Sequence, residues 1–199
     1  MDAQEWDTRY TNTPWVWSAD PNMWVVQELE GLRPGRALDL GAGEGRNAVW
    51  LARRGWQVDA VDFSRVALLR ADELAATHGV QVATREADLT QYEPEGDAYD
   101  LVMVVYIHLA HADMEALLRR AARAARPGGT LLLVGHDVSN IEHGTGGPQD
   151  PEILTSVAQV SALWGEMADL EVAEVRRRPV AREDEVVSAL DTVVRAVRR

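Results

Sequence analysis

The stretch from Ala37 to Asp62, ALDLGAGEGRNAVWLARRGWQVDAVD, constrains the chain more than any other. It opens on Ala37-Leu38-Asp39-Leu40, a run of the length a buried strand takes. Glycines follow at alternate positions, Gly41, Gly43 and Gly45. In RNAVWLARRG, Ala48, Leu51 and Ala52 fall at helical spacing and Gly55 supplies a stop. A second apolar run, Val58 to Val61, closes on Asp62. Strand, glycine turn, helix and strand make a βαβ unit, and ligands bind at its first turn.

The chemistry follows from that turn. Glycine lets backbone bend sharply and approach a ligand closely. The helix that follows begins with unsatisfied N–H groups and a partial positive charge, which favour a carboxylate or phosphate. Asp62 stands 21 residues after Gly41, where a second-strand carboxylate accepts hydrogen bonds from a ribose diol. A nucleoside with an anionic tail fits such a site. The dinucleotide fingerprint G-x-G-x-x-G fits less well, because the third glycine comes one residue early and Arg46 stands in its place.

The phrase LDLGAGEGRNAVWLARRGWQVDAVDFS resembles the first motifs of the class I S-adenosylmethionine-dependent methyltransferases. The resemblance implies an α/β, Rossmann-like, doubly wound sheet of seven strands. The sheet would be mostly parallel, with a C-terminal antiparallel hairpin and helices on both faces. It implies S-adenosylmethionine as cofactor and a single domain over 1–199. Gly41 and Gly43 would line the methionine half of the cofactor, Asp62 would hold its ribose and Phe63 pack on its adenine, with Asp39, Ala42, Arg46, Asn47 and Ser64 also in the cofactor site. Asp88 and Leu89, at the end of the third strand, would hold the adenine amino group and ring nitrogen. Tyr106 ends the fourth strand, where the family holds the cofactor's ammonium group and faces the methyl acceptor.

Composition narrows the partners. Apolar residues are 46% of 199, which argues against global disorder. No run of about 18 apolar residues occurs, so no membrane span is expected. The start, MDAQEWDTRY, lacks the basic and apolar blocks of a signal peptide. Cysteine is absent, which excludes disulfides, thiolate metal sites and a cysteine nucleophile and fits a cytoplasmic protein. A net charge of −12 argues against nucleic acid as the main partner. A small-molecule acceptor and a monomer or homodimer are expected.

Residues 1–21 carry Trp6, Tyr10, Trp15 and Trp17 with Pro14 and Pro21. The prolines discourage one continuous helix, and the rings need a surface to cover. This arm packs on the core or a second subunit, or forms a flap over the cofactor. WSADPNMW resembles the segment before the first motif in methyltransferases of the tellurite-resistance and thiopurine type, which implies that Trp17 and Asn22 line the cofactor pocket. Asp20 and Pro21 open a helix with Met23, Val26, Leu29 and Leu32 on one face.

Beyond Asp62, Ser64 caps a helix running to Thr77 with Val66, Leu69, Ala71 and Leu74 as its apolar positions. Val80 to Thr84 alternates as a third strand, and LVMVVY is a fourth, apolar throughout as expected of a central parallel strand. Asp113 to Arg126 is an amphipathic helix, and RPGGTLLLV leads into the fifth strand and resembles the family at this place. Residues 136–152 form a glycine-rich loop leaving the carboxyl edge, read as a substrate-side lid. Glu152 to Asp169 reads as helix, Leu170 to Val175 and Ala189 to Val197 as the last two strands, and the basic run Arg176 to Arg178 as a solvated strand edge.

The reaction the resemblance implies is in-line displacement at a sulfonium methyl, for which the protein supplies alignment and dryness. A thiolate or selenide acceptor needs no base; a hydroxyl or protonated amine does. Histidine titrates in the right range, and His108 and His136 near the ends of the fourth and fifth strands are the candidate catalytic residues. No metal site is expected, since H-x-x-H over His108 and His111 matches no dependable motif. An NAD-type oxidoreductase and a noncatalytic S-adenosylmethionine-binding protein stay open as alternatives.

Overall fold

The computed structural model describes residues 3–13, 19–182 and 185–199. Its elements run α1 (Ala3–Asn12), α2 (Met23–Leu29), β1 (Arg36–Leu40), α3 (Arg46–Ala52), β2 (Gln57–Asp62), α4 (Arg65–Thr77), β3 (Ala83–Glu86) and β4 (Tyr99–Val105). They continue with α5 (His111–Ala124), β5 (Ala125–His136), α6 (Asn140–His143), a 3-10 turn (Pro151–Ile153), α7 (Val157–Trp164), β6 (Ala168–Arg182) and β7 (Glu185–Arg198). The strands form one sheet in the order β3-β2-β1-β4-β5-β7-β6. β7 alone runs against its neighbours, antiparallel to both β5 and β6. The expected sheet is the observed one.

Strand alternation sends successive side chains to opposite faces. Leu38, Leu40, Val102, Val104, Leu131 and Leu133 pack with Leu117, Leu118 and Trp164 of α5 and α7 on one face. Ala37, Leu101, Met103, Leu132 and Val193 pack with Trp24, Val25, Leu29 and Leu51 of α2 and α3 on the other. Each fully buried leucine contributes about 1.5–3 kcal/mol. Trp164, without exposed surface, also donates its Nε1–H to the Leu118 carbonyl at 3.2 Å.

β1 is the switch point: β2 and β3 extend from one side, β4 and β5 from the other. The carboxyl ends of β1, β2, β4 and β5 therefore open on one crevice, where the ligand sites of such sheets lie.

Several local expectations change. The arm is not irregular throughout: residues 3–12 are helical. Trp15 and Trp17 lie outside the described residues. The cap of α2 is Asn22, not Asp20, because the Asn22 side chain accepts from the N–H groups of Trp24 and Val25. On α4, Ala71 and Leu74 are buried as expected, but Leu69 is 55% exposed and Leu68 is buried in its stead. The helix expected from Glu152 breaks: Asp137 and Thr155 form a β-bridge, and α7 starts afresh from a Ser156–Gln159 capping box.

The last strands run well past the expected segments because each registers against the other for almost its full length. The basic run is not simply solvated. Arg176 pairs with buried Glu28 at 2.5 Å and Arg178 with buried Asp191 at 2.8 Å; Arg177 alone is exposed.

Residues 136–152 carry α6 and are tied to β7. Asn140 Oδ1 accepts the Leu190 N–H at 2.7 Å, while its Nδ2 donates to the Gly146 carbonyl at 2.8 Å. Asp137 accepts from the Thr192 hydroxyl at 2.6 Å.

Candidate active site

The cofactor half is built on the β1–α3 turn. Gly41, Gly43 and Gly45 have φ of +82°, +53° and +79°, a region costly for side chains with a Cβ. Asp62 clamps this turn from β2. Its Oδ2 accepts the Gly43 N–H at 2.8 Å and its Oδ1 the Ser64 N–H at 2.9 Å. The carboxylate keeps acceptor capacity for a ribose hydroxyl. Burial raises the Asp62 pKa, against the N–H bonds from Ser64, Gly43 and Phe63.

Asp39 differs from every other carboxylate of the crevice. It is 1% exposed and neither oxygen has a hydrogen-bond partner. Burial and the nearby Asp62 push its pKa up to about 7, with Arg46 pulling the other way. Such a group calls for a cation. The ammonium end of S-adenosylmethionine meets that need, so the residues present fit the cofactor.

The other expected residues fall around it. Asn47 Oδ1 accepts the Asn22 N–H at 2.9 Å, so both asparagines tie α2 to α3 rather than leaving their oxygens to the crevice. Ser64 caps α4 and donates to Asp7 of α1. Tyr10, buried on α1, places its hydroxyl 3.2 Å from where a Cβ on Gly43 would stand. The arm therefore lies across the glycine turn. Leu89 is buried, and its carbonyl accepts from Arg120 at 2.7 Å. Exposed Asp88 binds the N–H and hydroxyl of Thr90 through Oδ1 at 2.8 and 2.9 Å. Phe63 is half-buried beside Asp62, and Ala42 is buried within the turn.

On the acceptor side Tyr106 takes φ of +55°, rare for a residue other than glycine, so the chain turns sharply out of β4. Its hydroxyl donates to Asp191 Oδ2 at 2.7 Å. The same oxygen accepts Trp24 Nε1–H at 2.9 Å and Arg178 Nε–H at 2.8 Å. The other oxygen, Oδ1, is buried and unpartnered, 3.5 Å from His136 Nδ1. His136 lies in tilted contact with the Tyr106 ring at 4.9 Å and stacks on His108 at 5.7 Å.

Electrostatics keep both imidazoles neutral near pH 7. Burial, then the neighbouring His136, lowers His108 to about 4. Burial lowers His136 too, with Asp191 opposing and Arg178 reinforcing the shift. Arg46 sits between the two halves; burial lowers its pKa, while Tyr106 and Asp39 raise it.

The structure thus brings His108 and His136 together with Tyr106, as the sequence suggests, and adds Asp191, Arg178 and Trp24, which it does not. His111 and His143 stand apart on exposed surface beside Glu152 and Glu142. Among the described residues no cluster could hold a metal ion, and no helix is long and apolar enough to cross a membrane.

Residues 37–129 match the family model described as a methyltransferase domain. The chain is 34% identical over 120 residues to the ribosomal RNA small subunit methyltransferase C of Alcanivorax borkumensis, covering 56% of this chain and 36% of that protein. It is also 34% identical over 106 residues to the ubiquinone biosynthesis O-methyltransferase of Caulobacter sp., covering 53% of this chain and 41% of that one. The chain therefore spans well under half the length of these relatives. The structure described as "Conversion of a Disulfide Bond into a Thioacetal Group during Echinomycin Biosynthesis" superimposes with a TM-score of 0.77 at 20% identity, covering 98% and 91% of the two chains. TehB from Haemophilus influenzae gives 0.72 at 14%, covering 100% and 68%. The glycine turn, the switch-point crevice and the match to the methyltransferase domain together support a class I S-adenosylmethionine-dependent methyltransferase.

Proposed function

We propose that the chain transfers a methyl group from S-adenosylmethionine to a small-molecule acceptor. The observation that carries the cofactor half is the orphaned Asp39 carboxylate beside the clamped glycine turn. Asp39 takes the cofactor's ammonium group, and Asp62 the ribose hydroxyls. Asp88 and Leu89 flank the adenine with Phe63. When bound, S-adenosylmethionine supplies a methyl group on a sulfonium, already activated by its positive charge.

The chain's own contribution is alignment, which is worth ~7–11 kcal/mol when both reactants are held. α1, through Tyr10 and Asp7, covers the cofactor. The 136–152 segment acts as a substrate-side lid: a Cβ on Gly147 would stand 2.8 Å from His136 Cδ2, so the glycine lets the lid lie on that ring. His108 and His136 are the candidate bases.

The acceptor is small because the crevice lies beneath both covers and the charge of −12 disfavours nucleic acid. A cytoplasmic monomer or homodimer suits the cysteine-free sequence. Placement in the tellurite-resistance and thiopurine branch rests on WSADPNMW alone. Calorimetry with S-adenosylhomocysteine tests the reading: micromolar or tighter binding is expected, and no heat from folded protein overturns it.

A further inference from the structure

Asp191 is a carboxylate without exposed surface on the wall of the acceptor site, and no cofactor role calls for it. Burying such an ion costs several kcal/mol unless donors compensate. Three do, and all three converge on one oxygen: Tyr106, Trp24 and Arg178 on Oδ2. The arrangement holds the carboxylate in place while Oδ1 lies 3.5 Å from His136 Nδ1, both atoms buried and without another partner. The two residues are direct partners in the β5–β7 ladder, so the backbone sets their approach. A carboxylate facing Nδ1 selects the tautomer that carries its proton there and leaves Nε2 as a lone-pair base.

We infer that Asp191 is a positioning residue that makes His136 the general base, and that the acceptor is a neutral aromatic hydroxyl. The inference rests on the methyltransferase reading. His108, stacked on His136, has no carboxylate partner among the described residues. The groups around His136 are Asp191 from β7, Arg178 from β6, and Tyr106 and His108 after β4. A thiol, at pKa about 8.5, is partly ionised near neutrality and needs no such device, whereas a phenol at about 10 does. The rings of Tyr106, His108 and His136 offer a planar partner flat surfaces. In the step, an acceptor oxygen lone pair forms the new C–O bond and the C–S pair returns to sulfur, leaving a neutral thioether. The hydroxyl proton passes to His136 Nε2 and then to solvent, while Asp191 stabilises the transient imidazolium.

The test begins without an acceptor. Nitrogen-15 spectra of histidine-labelled protein saturated with S-adenosylhomocysteine, assigned with His136→Gln, are expected to show His136 protonated at Nδ1. In Asp191→Asn that preference is lost and the His136 pKa falls. An Nε2–H tautomer in the unsubstituted protein overturns the inference, as does an unchanged titration in Asp191→Asn. Should that variant not fold, the tautomer of the unsubstituted protein decides alone. Turnover of catechol is then expected to drop at least ~100-fold in His136→Gln with S-adenosylhomocysteine affinity kept. Undiminished catechol turnover in that variant, or turnover of thiophenol alone, overturns it. If neither compound reacts, the tautomer again decides. Absence of S-adenosylhomocysteine binding sinks the methyltransferase reading itself; binding with an Nε2–H His136 sinks only this inference.

Discussion

Asp191 stands opposite His136 in the β5–β7 ladder, with one carboxylate oxygen 3.5 Å from Nδ1 and the other holding three donors. Removing the carboxylate strands those donors. Asp191→Ala is expected to lower stability by about 3–5 kcal/mol, since it leaves the Arg178 charge half-buried and unpaired. Tyr106→Phe removes one donor and is expected to cost about 1–2 kcal/mol. Urea unfolding of both single variants and the double variant should give a coupling of about 0.5–3 kcal/mol; strict additivity would contradict a shared network.

Asp39 makes cofactor affinity depend on pH. Its pKa, near 7 in the free protein, lies far above the unfolded value. Binding a cation requires the ionised form, so affinity for S-adenosylmethionine is expected to fall as pH drops from 7.5 to 6, approaching tenfold per unit. Calorimetry in buffers of different ionisation enthalpy should report proton release on binding. Stability runs the other way: the folded state binds the proton more tightly, so the penalty of the buried charge is relieved as pH falls through 7. Asp39→Asn is accordingly expected to raise the melting temperature of the free protein at pH 8, by a margin that shrinks towards pH 5, and to weaken cofactor binding at least tenfold.

His108 has the opposite sign. Its folded pKa of about 4 lies below the unfolded value near 6.5, so its contribution is present above 6.5 and lost as pH falls towards 4. His108→Gln should flatten the pH dependence of the melting temperature between 6.5 and 4.5. An unchanged slope would show that His108 is not held neutral.

Asp62 joins the glycine turn to the start of α4 as well as facing the ribose. Asp62→Ala leaves two buried N–H groups without acceptors, costing about 1–3 kcal/mol each, and is expected to weaken S-adenosylhomocysteine binding by more than tenfold. Thermal unfolding with and without ligand separates the effects: the free protein melts lower and the ligand-induced rise shrinks.

Gly147 carries the lid on the His136 ring at φ of +72°. Gly147→Ala is strained there and meets the imidazole, so it is expected to reduce kcat/KM for the acceptor at least tenfold while S-adenosylhomocysteine affinity changes less than threefold. Equal losses in both would place the segment over the cofactor instead.

Much of this was legible in one dimension because it is local. Glycine spacing, the Ser64 cap and the apolar runs of β1 and β4 express backbone sterics, end capping and burial within a few residues of one another. They led to the βαβ unit and to Asp62 at the end of its second strand, and they placed His108 and His136 near neighbouring strand ends, while the seven-stranded sheet followed from the resemblance to the methyltransferases. The N-terminal helix was not expected, since Pro14 and Pro21 disfavour one continuous helix over residues 1–21 yet leave residues 3–12 able to form one. The choice of Leu68 over Leu69 was missed because α4 packs on both α3 and the sheet, a direction no periodicity reveals.

The acceptor wall could not be read this way. Asp191 sits in an alternating strand sequence like many others, 85 residues from Tyr106 and 167 from Trp24. What gives it meaning is the antiparallel return of β7 beside β5 and of β6 beside β7, since a shift of one residue would turn its carboxylate to the opposite face. Sequence alone favoured S-adenosylmethionine over NAD as the cofactor the chain is built around, because that motif is contiguous. Only the tertiary structure decided which histidine gains a carboxylate partner, because that pairing depends on long-range register.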